Sequence, residues 1–83
     1  MIFFVLTRTG YDELLQNFGR SPSPLWVNDG VLSPAELVQL RHEGIAVTNF
    51  ANVIDAKNLS AVNNAIETIQ EHHEGQRVWV EFV

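Results

Sequence analysis

Arg8-Thr9-Gly10 follows directly on the apolar run Ile2–Leu6, and its residue types are those that hold an anion. A glycine at a helix start exposes backbone N–H groups, and a guanidinium adds a bidentate contact. Asp29, in the turn Asn28-Asp29-Gly30, stands at a comparable place after the run Leu25–Val27, where a carboxylate can bind a cation or accept a proton. Open parallel sheets bind ligands beyond the carboxyl ends of their strands. Arg8, Thr9, Gly10 and Asp29 therefore form the candidate ligand-binding set, for a small anionic ligand. The same residue types also build ordinary turns. Neither the dinucleotide fingerprint nor the P-loop pattern is present in Thr7-Arg8-Thr9-Gly10. A phosphoacceptor role for Asp29 is rejected, because the first strand ends in Thr-Arg rather than in further acids and the single lysine is Lys57.

Other reactive side chains point to structure. His72 and His73 are adjacent, so on a helix they diverge by about 100° and are poor joint metal ligands. Together with His42 they fall in the last turns of predicted helices, where a cationic or hydrogen-bonding side chain meets the negative end of the dipole. Ser21, Ser23, Ser33 and Ser60 have the spacing of turn and cap residues, with no nucleophile motif around them. There is no cysteine, which removes thiol catalysis, disulfides and thiolate zinc sites. No catalytic residue, metal or cofactor is assigned.

The elements that must position these residues are strongly punctuated. Ile2–Leu6 is continuously apolar, as in a strand buried on both faces. Tyr11, Leu14, Leu15 and Phe18 have helical spacing, with Thr9 as the expected cap and Gly19 as the stop. Arg20-Ser21-Pro22-Ser23-Pro24 reads as a loop, and Leu25–Val27 as a short strand. Ser33, Pro34 and Glu36 then spell a capping box with proline at the first helical position, and Leu32 and Leu37 have the spacing of a hydrophobic staple. This second helix runs from Pro34 to about Glu43. Ile45–Phe50 is a third strand, Ala51–Asn58 is ambiguous, and Leu59–Glu74 is a third helix striped by Leu59, Val62, Ile66 and Ile69. Val78–Val83 is a fourth strand, with Trp79, Glu81 and Val83 on its less certainly buried side.

The order βαβαβαβ predicts a small α/β domain with a mainly parallel four-stranded sheet. The buried character of the first strand places it centrally, in the flavodoxin-like order 2-1-3-4. An antiparallel last strand, giving an α+β domain, is the alternative. In the 2-1-3-4 arrangement the first helix covers one face alone, and its roughly 12–15 Å cannot span a face roughly 19 Å across. Part of that face is expected to be open. Phe3, Phe50, Trp79 and Val83, placed together on one face, are the candidate interface.

Size and charge narrow the partners. A chain of 83 residues has room for one domain, 1–83, and buries only about 60–65% of its unfolded surface. Ten acidic against five scattered basic side chains give a formal charge of −5, which disfavours nucleic acid and anionic membrane surfaces. No stretch approaches the ~20 apolar residues of a membrane span. The apolar start is too short for a secretory signal, and a cytoplasmic location is expected. The leading expectation is a non-enzymatic interaction or regulatory module, acting as a homo-oligomer or on a protein partner. The competing expectation is a small-molecule or anion-binding domain.

Overall fold

The structure, a computed structural model, describes residues 1–19 and 22–81. Arg20 and Ser21, read from sequence as part of a loop, and Phe82 and Val83, read as part of the fourth strand, lie outside the described residues. Four strands alternate with three helices: β1 (Ile2–Val5), α1 (Arg8–Phe18), β2 (Leu25–Val27), α2 (Pro34–His42), β3 (Val47–Asn49), α3 (Leu59–His72) and β4 (Val78–Val80). All strand pairings are parallel, so the domain is α/β and the antiparallel alternative for β4 falls away.

The strand order is 3-2-1-4, a correction to the expected 2-1-3-4. β1 is indeed central, paired to β2 on one side and β4 on the other. β3 lies beyond β2 as an edge. Its composition accounts for this place: Thr48 is exposed and Asn49 half-buried, which a strand buried on both faces would not tolerate. The long α3 connection then carries the chain back across the sheet to the free side of β1.

This order redistributes the helices. α1 and α2 share one face, where Val5, Leu25, Val27 and Val47 meet Tyr11, Leu14 and Leu40. α3 covers the other face alone, burying Val62, Ala65 and Ile69 against Ile2, Phe4 and Trp26. The single-helix face is thus that of α3 and not of α1. A helix of 14 residues is longer than the expected sole cover, at roughly 21 Å. The stretch left ambiguous by sequence completes the layer, with Phe50, Ile54 and Ala56 packed against the same core.

Local signals explain the helix boundaries. Ser33 accepts from Glu36 N–H at 3.1 Å and Glu36 returns to Ser33 N–H at 3.0 Å, so the capping box forms as the sequence dictates. Leu32 and Leu37 pack in the same core cluster, as the staple requires. The cap of α1 differs from expectation. It is Thr7, extended at φ −134° and accepting from Gly10 N–H at 3.1 Å, while Thr9 lies inside the helix and is exposed. Gly19 ends this helix at φ +83°, the region that favours glycine. His42 and His72 close their helices, and the His72 ring lies 2.9 Å from Thr68 O. His73 caps α3 and accepts the Trp26 indole N–H at 3.2 Å, a bond from helix end to sheet that the dipole argument alone does not supply.

Asn28 pins the loop over the α3 face. Its amide donates to Leu6 O at 3.1 Å and Ile54 O at 2.8 Å, and its carbonyl oxygen accepts from Ile54 N–H at 2.8 Å. The side chain is buried, so these bonds replace water completely. Asn28→Ala leaves three backbone groups short of a partner and should cost about 2–4 kcal/mol in urea unfolding, with amide exchange fastest at residues 50–56.

Candidate functional site

With β1 between β2 and β4, the strand order reverses between β1 and β4, and a crevice at their carboxyl ends is where such a sheet holds a ligand. Here that position is filled by the chain itself. Glu81 follows β4 directly and is only 5% exposed. Its carboxylate accepts from Leu6 N–H at 2.6 Å, from Thr7 N–H at 2.8 Å, and from the Thr7 hydroxyl in a short hydrogen bond. Gly10 completes the cradle: a Cβ there would collide with the Glu81 carboxylate. The negative group also sits at the positive end of α1, where the helix dipole adds to the charge-assisted bonds. The glycine and the helix start noted in the sequence do receive an anion, and that anion is an internal side chain.

The other sequence-predicted residues are dispersed. Arg8 turns away from the crevice toward α2, its Nη1 donating to the Glu36 carboxylate at 2.9 and 2.8 Å and to Val31 O at 3.4 Å. It also lies 3.5 Å from Asp12 and 5.3 Å from the centre of the Tyr11 ring. Its pKa is raised above the ordinary value, chiefly by the hydrogen bond to Glu36. Glu36 is held below the ordinary carboxylate range, first by Ser33 N–H and then by Arg8. Burial raises the Tyr11 hydroxyl. Thr9 is exposed, and Asp29, also exposed, accepts from the Asn49 amide at 3.1 Å. The four candidates Arg8, Thr9, Gly10 and Asp29 do not converge on one point. Only Gly10 belongs to the filled crevice.

The candidate interface set divides in the same way. Phe3 and Trp79 share the α1 face, where their ring centres stand 6.5 Å apart and each meets Phe18, at 5.2 and 5.8 Å. Phe50 lies on the opposite face, 5.5 Å from Phe4 and 5.4 Å from Trp26. That is a correction: Phe50 stands three residues after Val47, which faces α1, so alternation turns it to the other side, and Val83 lies outside the described residues. The aromatic patch is completed instead by Phe18, a helix residue that remains 46% exposed.

The two sheet edges differ. On β3 the outward carbonyl of Val47 accepts from Arg41 Nη2 at 3.2 Å, so a charged side chain guards that edge. On β4 the pairing with β1 uses Arg77 O and Glu81 N–H, bonded to Ile2 N–H at 2.8 Å and Phe4 O at 3.1 Å. In a parallel ladder this alternation turns the N–H and C=O groups of Val78 and Val80 outward. Among the described residues no partner reaches them.

An open groove of about 600 Å³ separates the 50–54 segment from α3, lined by Phe50, Asn52, Val53, Ile54, Asn64 and Thr68 among others, with no charged side chain in its lining. Among the described residues no three His, Asp or Glu side chains are grouped to hold a metal, and no helix is long and apolar enough to cross a membrane. The fold and these edges define a small parallel α/β domain with a self-filled crevice. Compared with protein-family models, curated proteins and solved structures, the chain matches none.

The sequence offered weak signals for what it missed. Glu81 is the sole charged residue in an otherwise apolar terminal run, one residue beyond β4, and a carboxylate there needs donors if the strand is buried. Leu6 and Thr7 supply them. The relation of Gly10 to Glu81 sets a sign reversal. Gly10→Ala should destabilise by about 2–3 kcal/mol, because the carboxylate must leave its donors. In a Glu81→Ala background the same change should stabilise by up to about 1 kcal/mol through helix propensity, read by denaturant unfolding of the four proteins.

The lowered Glu36 pKa sets a pH effect. Its contribution is present above the ordinary glutamate value of 4.5 and is lost as pH falls through the lower folded value. A small stability gap between the parent and Glu36→Gln near neutral pH should therefore close in acid, below the ordinary carboxylate range.

Proposed function

We propose that this domain is a non-enzymatic interaction module that works by self-association. The observation that supports this reading is the β4 edge, whose outward Val78 and Val80 groups have no partner among the described residues, beside the Phe3–Phe18–Trp79 patch, against a β3 edge where Arg41 takes the Val47 carbonyl. A half-exposed aromatic next to free strand hydrogen-bonding groups is a surface that gains from being covered. The size of the domain adds to this, since an 83-residue chain has a small core and association removes more apolar surface from water.

The anion-binding reading is less well supported by the same geometry. The Leu6 and Thr7 N–H groups just before α1 are taken by Glu81, the Gly10 N–H is taken by the Thr7 hydroxyl, and the guanidinium that would join them is committed to Glu36. Sedimentation equilibrium from low to high micromolar concentration should show a concentration-dependent homodimer. A strict monomer throughout the range overturns the proposal. In the same buffer, inorganic phosphate should leave the amide resonances of residues 8–10 and 29–30 unmoved, and saturable shifts there would favour the anion-binding reading instead.

A further inference from the structure

The geometry points to a specific partner and register for the β4 edge: we infer that it pairs antiparallel with the β4 of a second copy, about a two-fold axis passing beside Trp79. The inference rests on the self-association proposed above and specifies its surface. Because β4 uses the Trp79 backbone groups toward β1, Val78 and Val80 are the residues of β4 that present N–H and C=O outward among the described residues. In an antiparallel ladder, residues with outward groups form hydrogen-bonded pairs and the residue between them forms the close non-hydrogen-bonded pair. Setting Val78 opposite the partner's Val80 satisfies all eight outward groups of the two strands. Any shift of register leaves some of them unpaired. The contact is isologous, so it closes as a dimer.

The side chains agree with this register. Trp79 faces its own copy across the axis on the α1 side, next to Phe18, which is 46% exposed in the single chain. Val78 and Val80, half-buried on the α3 side, extend that core across the axis. Val78–Val80 carries no charge, and the carboxylate of Glu81, next along the chain, is turned inward to Leu6 and Thr7, so a chain of net charge −5 meets its copy without opposing acids at the seam. A head-to-tail arrangement, in which β4 adds to the β3 of another copy, is opposed by Arg41 on the Val47 carbonyl. With three residues per strand the contact is at the small end of stable interfaces, so association in the micromolar range is expected.

Amide hydrogen exchange on the unaltered protein tests this directly. The Val78 and Val80 amides should be unprotected in dilute samples and become protected as concentration rises, while the Trp79 amide is protected throughout. Val80→Pro places proline where the N–H points outward, a position an edge strand accommodates. It should keep the folded spectrum and weaken dimerisation by at least about tenfold. The chain has no cysteine, so Trp79→Cys supplies a single thiol that should cross-link to its copy under mild oxidation, whereas Thr48→Cys on the other edge should not. A dimer whose Val78 and Val80 amides stay unprotected, whose affinity survives Val80→Pro and whose Trp79→Cys form does not cross-link overturns the register and leaves self-association by another surface. A strict monomer overturns both.

Discussion

A single carboxylate fixes how this sheet ends. Glu81 accepts from two backbone N–H groups and a hydroxyl at the junction of β1 and α1, and it does so from the strand on the far side of the chain. Burying a charge is expensive unless donors replace its hydration, and hydrogen bonds to charged groups are worth about 1.5–3 kcal/mol each. The same bonds therefore hold β4 against β1, order the first turn of α1, and require the bare backbone of Gly10. The N-terminal and C-terminal segments of the chain become one unit through this contact.

That unit has consequences on both faces. Seating β4 beside β1 places Trp79 next to Phe3 and brings Phe18 over both, so the α1 face closes at the β4 edge with aromatic rings. On the opposite face Asn28 plays the matching part at the other end of the crevice, tying the end of β1 to the segment before α3. Glu81 and Asn28 are the two buried polar side chains among the described residues, and both are saturated with backbone partners. The crevice that an open parallel sheet leaves for a ligand is here used for internal cohesion. The surface left over is the outer edge of β4.

Much of the fold is legible because its signals are local. The capping box at Ser33 and Glu36, the stop at Gly19, and the apolar runs of β1 and β2 depend on residues a few positions apart. Strand order is different in kind. It is decided by which connection crosses the sheet, and the clue was the exposed Thr48 in a strand that central placement would have buried. Strand order also decides that α1 and α2 share a face, whereas the face of Phe50 follows from alternation along the chain after Val47. Site prediction erred for a related reason: a strand-end rule names the position of a crevice but not which side chain fills it.

The sequence by itself determined seven elements, their alternation, the Ser33 cap of α2, and the mainly parallel α/β class, because propensity and hydrophobic period act within one turn or one strand. Only the tertiary structure decided that Glu81 is the anion at the start of α1, 75 residues from Leu6 along the chain. It also decided that Arg8 serves Glu36, and that Arg41 takes the Val47 carbonyl at the β3 edge while the outward groups of β4 have no partner among the described residues. Hydrogen-bond satisfaction across such separations is set by the packed geometry, since any donor at the crevice can be claimed by whichever acceptor the topology delivers there.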